Sequence, residues 1–520
     1  MKAHLMYADA DFDVSTNLPG HYDDLDRDLE LGTLLTAMAG GDDYVYDISH
    51  RALMLGLHRA DQVQFRQEVL QDCLRDPEAI RELYALAGEA IHRERRIYGG
   101  LTRGFPDAVL RHAIEVMRLF DEMLTRVRDV AAEHAGSFTS TGMTTLCQSL
   151  RTELDDEYLD SIREHLSQLK FDHGIQMSAE LGRGNKAAGY VLRLPNDAHL
   201  PWWKRMFERD RTGFSFRIAD RDESGAQALA ELRGRGVNLA ANSLAQSTDH
   251  ILSFFTMLKT ELAFYVGGLN LHDALANAGA DVCFPEVAAG DTDLDASGLY
   301  DPSLRLTSSD HVVGNDIEAN AKRLIVITGA NRGGKSTLLR SVGVAQLMFQ
   351  AGLYVPARKF RASLCDGVFT HFKREEDAGM VSGKLDEEMA RMSDIVDRLT
   401  PSGMLLCNES FSATNEREGS EIARQIVTAL FEAGGRVLYV THMFDLARSL
   451  EFDNSDDGLF LRAERLDDGG RTFRVRPGKP LPTSFGEDLF NSIFGAGSTP
   501  NSGRSAAVTI DKVQVDHADG

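Results

Sequence analysis

The chain has 520 residues, which at ordinary domain size suggests about three domains. Hydrophobic residues make up 43% and charged residues 26%, the composition of a globular protein rather than a disordered one. A net charge of −23 excludes non-specific coating of nucleic acid by the overall field, so any such contact needs a local basic patch.

The opening Met1-Lys2-Ala3-His4-Leu5-Met6 has no apolar signal core, and no run of about 18 apolar residues follows. A cytoplasmic chain without a membrane span is therefore expected. The cysteines Cys73, Cys147, Cys283, Cys365 and Cys407 are scattered and never in C-x-x-C spacing, which argues against a disulfide framework and for a reducing compartment.

Residues 1–50 are acidic and mixed, as in Asp23-Asp24-Leu25-Asp26. Helical spacing runs from about 51 to 135. Asp76-Pro77-Glu78 predicts a helix start, with an N-cap acceptor, a proline at the first position and an acid at the positive end. Ile80, Leu83, Tyr84 and Ala87 continue one face. His92-Arg93-Glu94-Arg95-Arg96 reads as a solvated helix face. A second helical stretch covers about 108–169, with a break near Gly136-Ser137.

Between 174 and 195 the pattern becomes β-like. Ile175-Gln176-Met177 and Tyr190-Val191-Leu192 flank Gly182-Arg183-Gly184-Asn185-Lys186, which predicts a hairpin with a basic tip. Helical periodicity returns from Ser224 to Leu275, with Leu229, Leu232, Val237, Leu239, Leu244, Ile251, Phe254, Phe255 and Leu258 as its apolar face. Asp291-Thr292-Asp293-Leu294-Asp295-Ala296-Ser297-Gly298 reads as an acidic loop. Beyond it, short apolar strands alternate with helices in an α/β pattern. The expected units are an N-terminal and helical segment over 1–107, a helical region over 108–280 with its hairpin, an α/β domain over 281–495, and a Gly/Ser/Asn/Asp-rich mobile tail over 496–520.

Leu324-Ile325-Val326-Ile327-Thr328 is a buried-strand run. Gly329-Ala330-Asn331-Arg332-Gly333-Gly334-Lys335-Ser336 follows at once and fits G-x-x-x-x-G-K-[ST], and Thr337-Leu338-Leu339-Arg340 opens a helix. In this context glycines let backbone N–H groups close on phosphates, and the helix N-terminus adds a positive end. Lys335 is placed to reach the β- and γ-phosphates of ATP, and the Ser336 hydroxyl to hold Mg²⁺.

Such a site also needs an acid near the metal and a base for water. The strand Met404-Leu405-Leu406-Cys407 ends in Asn408-Glu409, which makes Glu409 the candidate general base. Asn408 can orient a metal-bound water but carries no charge, and so predicts weaker Mg²⁺ binding. A third strand, Val437-Leu438-Tyr439-Val440-Thr441, ends in His442, a candidate contact to the γ-phosphate or the attacking water.

The stretch Thr328 to Ala357 resembles the ATPase domain of the MutS family, whose nucleotide loop reads TGPN-x-GGKST before G-x-YVPA. Ala330 stands for the usual proline, while Asn331, Gly333, Gly334, Lys335, Ser336 and Thr337 match. Tyr354-Val355-Pro356-Ala357 is the sharper identifier, because P-loop mechanics do not demand it. Asn315-Asp316-Ile317, Thr414, Glu418-Gly419, Ala423, Thr441-His442 and Thr483-Ser484-Phe485-Gly486 extend the likeness over about 281–495, and residues 69–80 resemble the family's core helices more weakly. The resemblance implies an ABC-type P-loop α/β ATPase domain on the C-terminal side of a mainly α-helical core and lever region.

The resemblance further implies ATP and Mg²⁺ as cofactors, a homodimer with two composite sites, DNA held between helical arms, and other repair proteins as partners. In the family a serine from one subunit contacts the nucleotide of the other. Ser382 or Lys384 occupies that region here, in registers two residues apart. Family members that sense mismatches use a Phe-x-Glu wedge in an N-terminal domain. Here Phe120-Asp121-Glu122 fits the letters but lies within a helical stretch, so wedge-type sensing is not expected.

Arg183, Lys186 and Arg193 on the hairpin, and Lys204 and Arg205 after Trp202-Trp203, are the candidate DNA contacts. The leading reading is an ATP-gated dimeric clamp in mismatch repair or recombination. The alternative is a nucleotide-gated clamp with little hydrolysis, holding a protein partner or branched DNA. A chromosome-maintenance type of ATPase would carry a Leu-Ser-Gly-Gly signature and a long coiled coil, and neither is present.

Overall fold

The computed structural model describes residues 1–98, 106–169, 171, 175–183, 187–193, 223–374, 383–454, 457–466 and 469–482. The described residues of the first half of the chain are mainly helical. Helices α1 (Tyr22–Asp28), α2 (Leu31–Ala39), α3 (Asp43–Leu55) and α4 (Ala60–Arg75) precede α5 (Pro77–Tyr98) and α6 (Pro106–His134). Then come α7 (Thr141–Glu153), α8 (Asp156–Gln168) and the 55-residue α9 (Glu223–Asn277).

Helix α5 starts where the sequence places it. Asp76 Oδ1 accepts from the Ala79 amide at 3.3 Å, and Asp76 Oδ2 lies 2.7 Å from His134 Nδ1 at the end of α6. A 3₁₀ turn over Ala135–Ser137 makes the expected break.

Helices α5, α6 and α9 form a bundle. Phe120 is fully buried 5.5 Å from the Phe255 ring, and Arg93 bridges Glu89 and Glu122, so the Phe120-Asp121-Glu122 triplet packs one helix against the next. On α9, Val237, Ile251, Phe254, Phe255 and Leu258 are buried as expected, but Leu239 is 70% exposed. Two residues along a helix turn the side chain by about 200°, so a position two after a buried one faces away. Strands β1 (Gln176–Leu181) and β2 (Ala187–Arg193) pair antiparallel as the expected hairpin.

The rest alternates β and α, through β3 (Glu286–Val287), β4 (Leu294–Leu299), α10 (Pro302–Thr307), β5 (Asn315–Glu318), β6 (Leu324–Gly329), α11 (Lys335–Gln350), β7 (Lys359–Ala362) and β8 (Val368–Phe372). There follow α12 (Lys384–Val396), β9 (Met404–Asn408), α13 (Glu416–Glu432), β10 (Arg436–Val440), α14 (Phe444–Asp453), β11 (Gly458–Arg465) and β12 (Arg471–Pro477). The acidic loop expected over 291–298 is in fact partly strand. β4 pairs with β5 and β7 and buries Leu294, Ala296 and Leu299, an inward set that the intervening polar residues mask.

The main sheet has the order β12-β11-β6-β10-β9-β8, parallel except for β12. Its strands bury both faces. Ile325, Ile327, Leu406, Leu438 and Val440 join the large core on one side. Leu324, Val326, Leu405, Cys407, Val437 and Tyr439 pack with Met392, Val427 and Leu446 on the other.

Tyr354 shows what the Tyr-Val-Pro-Ala segment does. Its ring is fully buried and its hydroxyl donates to the Gly268 carbonyl of α9 at 2.7 Å, pegging the α/β unit to the long helix. The N-terminal segment also packs on α9. Glu261 accepts from the amides of Leu5, Met6 and Phe12, and the Tyr265 hydroxyl donates to the Leu5 carbonyl. Buried Arg66 of α4 donates to Met6 O at 2.8 Å and to Ala351 O, just past α11, at 3.2 Å. All five cysteines are free, and no helix among the described residues is long and apolar enough to cross a membrane.

Candidate functional site

Parallel pairing brings three strand ends to one edge of the main sheet. Val440 of β10 is in register with Ile327 of β6 on one side and with Asn408 of β9 on the other. Gly329, His442 and Asn408-Glu409 therefore converge, and the loop 329–334 leads into α11 beside them. This is the crevice where open α/β sheets bind ligands, at the carboxyl ends of the strands.

The loop's conformation needs its glycines. Gly334 has φ +88 at the N-cap of α11, and a Cβ on Gly333 would sit 2.7 Å from Ala463 Cβ and 2.8 Å from Ala330 O. Lys335 is 5% exposed and donates to the carbonyls of Gly329 and Ala330, both at 3.1 Å. Burial lowers its pKa, Glu409 works in the opposite direction, and Arg471 adds to the lowering. Among the described residues no carboxylate lies within ion-pair distance of its Nζ. A desolvated ammonium held by two carbonyls suits an anionic ligand.

Ser336 Oγ donates to Asn408 Oδ1 at 2.9 Å, so the two residues read from sequence as metal holders are in contact. Glu409 has φ +55, a conformation rare outside glycine, and its amide donates to Val440 O at 2.9 Å. Its carboxylate faces His442 Nδ1 at 3.5 Å. The His442 ring is the main influence holding that carboxyl below its ordinary value, against burial and with help from Lys335 and Lys373. Asn331 lies within the loop and Thr337 in the first turn of α11. Arg471 Nε donates to Asn331 O at 3.3 Å, and the Thr337 carbonyl accepts from Ser341 Oγ.

Lys384 opens α12, while Ser382 lies outside the described residues. Met392 and Ile395 are buried, but Met389 and Val396 are 41% and 44% exposed, and Glu388 turns inward instead. Arg183 and Arg193 are exposed on the hairpin, where Arg193 Nε donates to Ser178 Oγ at 2.9 Å. Lys186, Lys204, Arg205 and the Thr483–Gly486 segment lie outside the described residues.

The β11–β12 hairpin supplies a wall of the site that sequence reasoning missed. Besides Arg471, the Phe473 carbonyl accepts from Asn315 Nδ2 at 3.2 Å and lies near Gly334, and Asn315 Oδ1 accepts from the Val475 amide at 2.7 Å. Neither Arg471 nor Phe473 sits in a recognisable local motif, and both meet the loop only through strand pairing.

A strand, a glycine-rich loop and a helix set at the edge of a parallel sheet define a P-loop domain, here joined to a helical bundle. Both parts match models of MutS-type domains. The MutS2 N-terminal domain profile matches residues 58–278, and the MutS domain V profile matches 325–473. A protein named DNA mismatch repair protein MutS from Chlorobium phaeobacteroides is 34% identical over 274 residues, covering 51% of this chain and 31% of the relative. One of the same name from Synechococcus sp. is 25% identical over 399 residues, covering 74% of this chain and 43% of the relative. Another, from Thermotoga maritima, is 37% identical over 135 residues, 26% of this chain and 17% of the relative. The matched segments thus span well under half the length of these relatives.

Proposed function

We propose that the protein is a Mg²⁺-dependent ATPase of the MutS type that works as an ATP-gated, homodimeric clamp on DNA, in mismatch repair or recombination. The observation that carries this reading is the meeting of Lys335, Ser336, Asn408, Glu409 and His442 at one sheet edge. Lys335, the amides of the 329–334 loop and the N-terminus of α11 would hold the phosphates. Ser336 and Asn408 would hold Mg²⁺, which neutralises phosphate charge when bound. Glu409, kept ionised by His442, is suited to accept a proton from water, and His442 can donate a hydrogen bond toward the same place. The relatives' printed name, DNA mismatch repair protein MutS, supports DNA as the partner. Arg183 and Arg193 are the described hairpin cations available for backbone contact. Lys384, at the start of α12, is the described candidate for reaching a partner's nucleotide.

Asn408 favours a second reading, a clamp that binds nucleotide and turns over little, because an amide replaces the charge that would anchor the metal. The test is steady-state ATP hydrolysis by wild type and Glu409→Gln, alone and with homoduplex, mismatched, branched and single-stranded DNA at two salt concentrations. DNA-stimulated turnover that disappears in Glu409→Gln supports the ATPase reading, with stimulation weakening as salt rises. Tight ATP binding with no turnover on any DNA would replace it with the second reading.

A further inference from the structure

The turn that carries Glu409 is held by a buried histidine that the site chemistry does not use. His371, in β8, is fully buried. Its Nδ1 lies 2.7 Å from Ser410 Oγ, one residue beyond Glu409, and its Nε2 lies 2.9 Å from the Glu388 carbonyl in α12. The Ser410 hydroxyl is also 2.7 Å from the carbonyl of His371 itself, and the Tyr439 hydroxyl donates to the Ser410 carbonyl at 2.7 Å. The Phe411 ring stacks on the imidazole, centroids 5.3 Å apart.

The partners assign the tautomer. A carbonyl only accepts, so Nε2 carries the proton toward Glu388. Burial, aided by Arg391, pushes the imidazole down to about 4, so the ring is neutral near pH 7 and Nδ1 presents a lone pair. The single Ser410 hydroxyl proton is therefore shared between two acceptors, Nδ1 and the His371 carbonyl. The ring forms a continuous bridge from α12 to the Glu409 turn.

Two further observations give the bridge something to act on. Glu409 and Phe411 both have positive φ, +55 and +60, so the turn holds a conformation that its surroundings must enforce. The Glu388 side chain faces the same turn, since the Phe411 backbone amide is among the groups opposing the rise that burial imposes on its carboxyl. On its far side α12 is tied to α1, where Arg391 reaches Asp28 at 3.6 Å, while Arg374 pairs with both Asp24 and Glu387.

We propose that His371 is a positioning residue for turnover: through Ser410 and the Glu388 carbonyl it couples α12 to the Glu409 turn, so that the placement of α12 sets the aim of the Glu409 carboxylate. The proposal deepens the ATPase reading and rests on it for its kinetic consequence. Helix α12 begins at Lys384, the residue that the proposed function assigns to a partner's nucleotide, so in that dimer the bridge would give a route from the partner's nucleotide to the base of this subunit's site.

The test uses full-length protein and variants that each keep one arm of the bridge. His371→Gln can still donate to Glu388 but loses Ser410, His371→Asn can still meet Ser410 but loses Glu388, and Ser410→Ala removes the hydroxyl with little change in volume. ATP affinity, kcat and KM are measured for each beside Glu409→Gln, together with amide hydrogen exchange over 388–392 and 409–412. The expected result is a kcat lowered roughly ten- to a hundredfold, with ATP affinity and KM within about twofold of wild type. Exchange should rise in both segments when either arm is cut. Unchanged kcat in His371→Gln and Ser410→Ala, or an affinity loss that parallels kcat, overturns the positioning role. If wild type itself shows no turnover, the hydrolytic reading fails alone. Exchange then decides the bridge, and unaltered protection in both segments overturns it.

Discussion

Under the proposed function, Lys335 is the residue on which nucleotide binding turns. It is buried and bonded to two loop carbonyls, and desolvation lowers its pKa against the opposing pull of Glu409. Lys335→Ala is expected to weaken ATP binding by roughly a hundredfold or more, since a buried charged contact is lost outright, as read by titration of a fluorescent ATP analogue. Circular dichroism should stay at the wild-type signal, because α11 keeps its glycine N-cap. Asn408→Asp places a carboxylate where an amide now meets Ser336 at 2.9 Å. It is expected to raise turnover roughly tenfold at limiting Mg²⁺, by adding the missing charge to the metal site. Equal rates for the two forms would mean the amide already suffices. The meeting of these residues was legible because Asn408, Glu409 and His442 follow strong apolar strands, while Lys335 and Ser336 open a helix at fixed spacing after another such strand and its glycine loop. Arg471 and Phe473 were not, because the contact to Asn331 spans 140 residues of chain and depends on pairing order in the sheet.

The elements differ in how far periodicity reveals them. Helix α9 could be read almost to its ends, since an apolar face repeated over many turns has no competing interpretation. β4 could not, because two inward positions among aspartates resemble a loop. The N-terminal segment has no regular structure and so no period, yet Leu5, Met6 and Phe12 are buried against α9 through Glu261. Burial lifts the Glu261 carboxyl to about 7, more than the three amides can pull it down. The unfolded chain releases that proton near the ordinary value of 4.5 while the folded chain still holds it. The contribution of this group to stability is therefore full below that value and is lost as pH rises toward 7. Urea denaturation across this range should show wild type losing stability with rising pH relative to Glu261→Gln, which cannot titrate. A pH-independent difference between the two would show a carboxyl ionised throughout.

At the scale of the molecule, the helical and α/β parts meet around Arg66, Tyr354 and the N-terminal segment. A buried arginine within an amphipathic helix leaves no trace in an apolar period, and neither does the choice of Ala351 as its partner. Arg66→Ala is expected to cost about 2–5 kcal/mol in unfolding free energy, through lost packing and two orphaned carbonyls, as measured by urea denaturation. The restraints on α9 gather toward one end, at Glu261, Tyr265 and Gly268. At 1.5 Å per residue, Glu223 stands about 57 Å from Glu261, so the bundle is a beam clamped near its base. A tilt of about 5° at the clamp carries the far end through about 5 Å, the rise of a single helical turn. Geometry alone thus multiplies a small rotation at the clamp into a displacement of several ångströms at the far end.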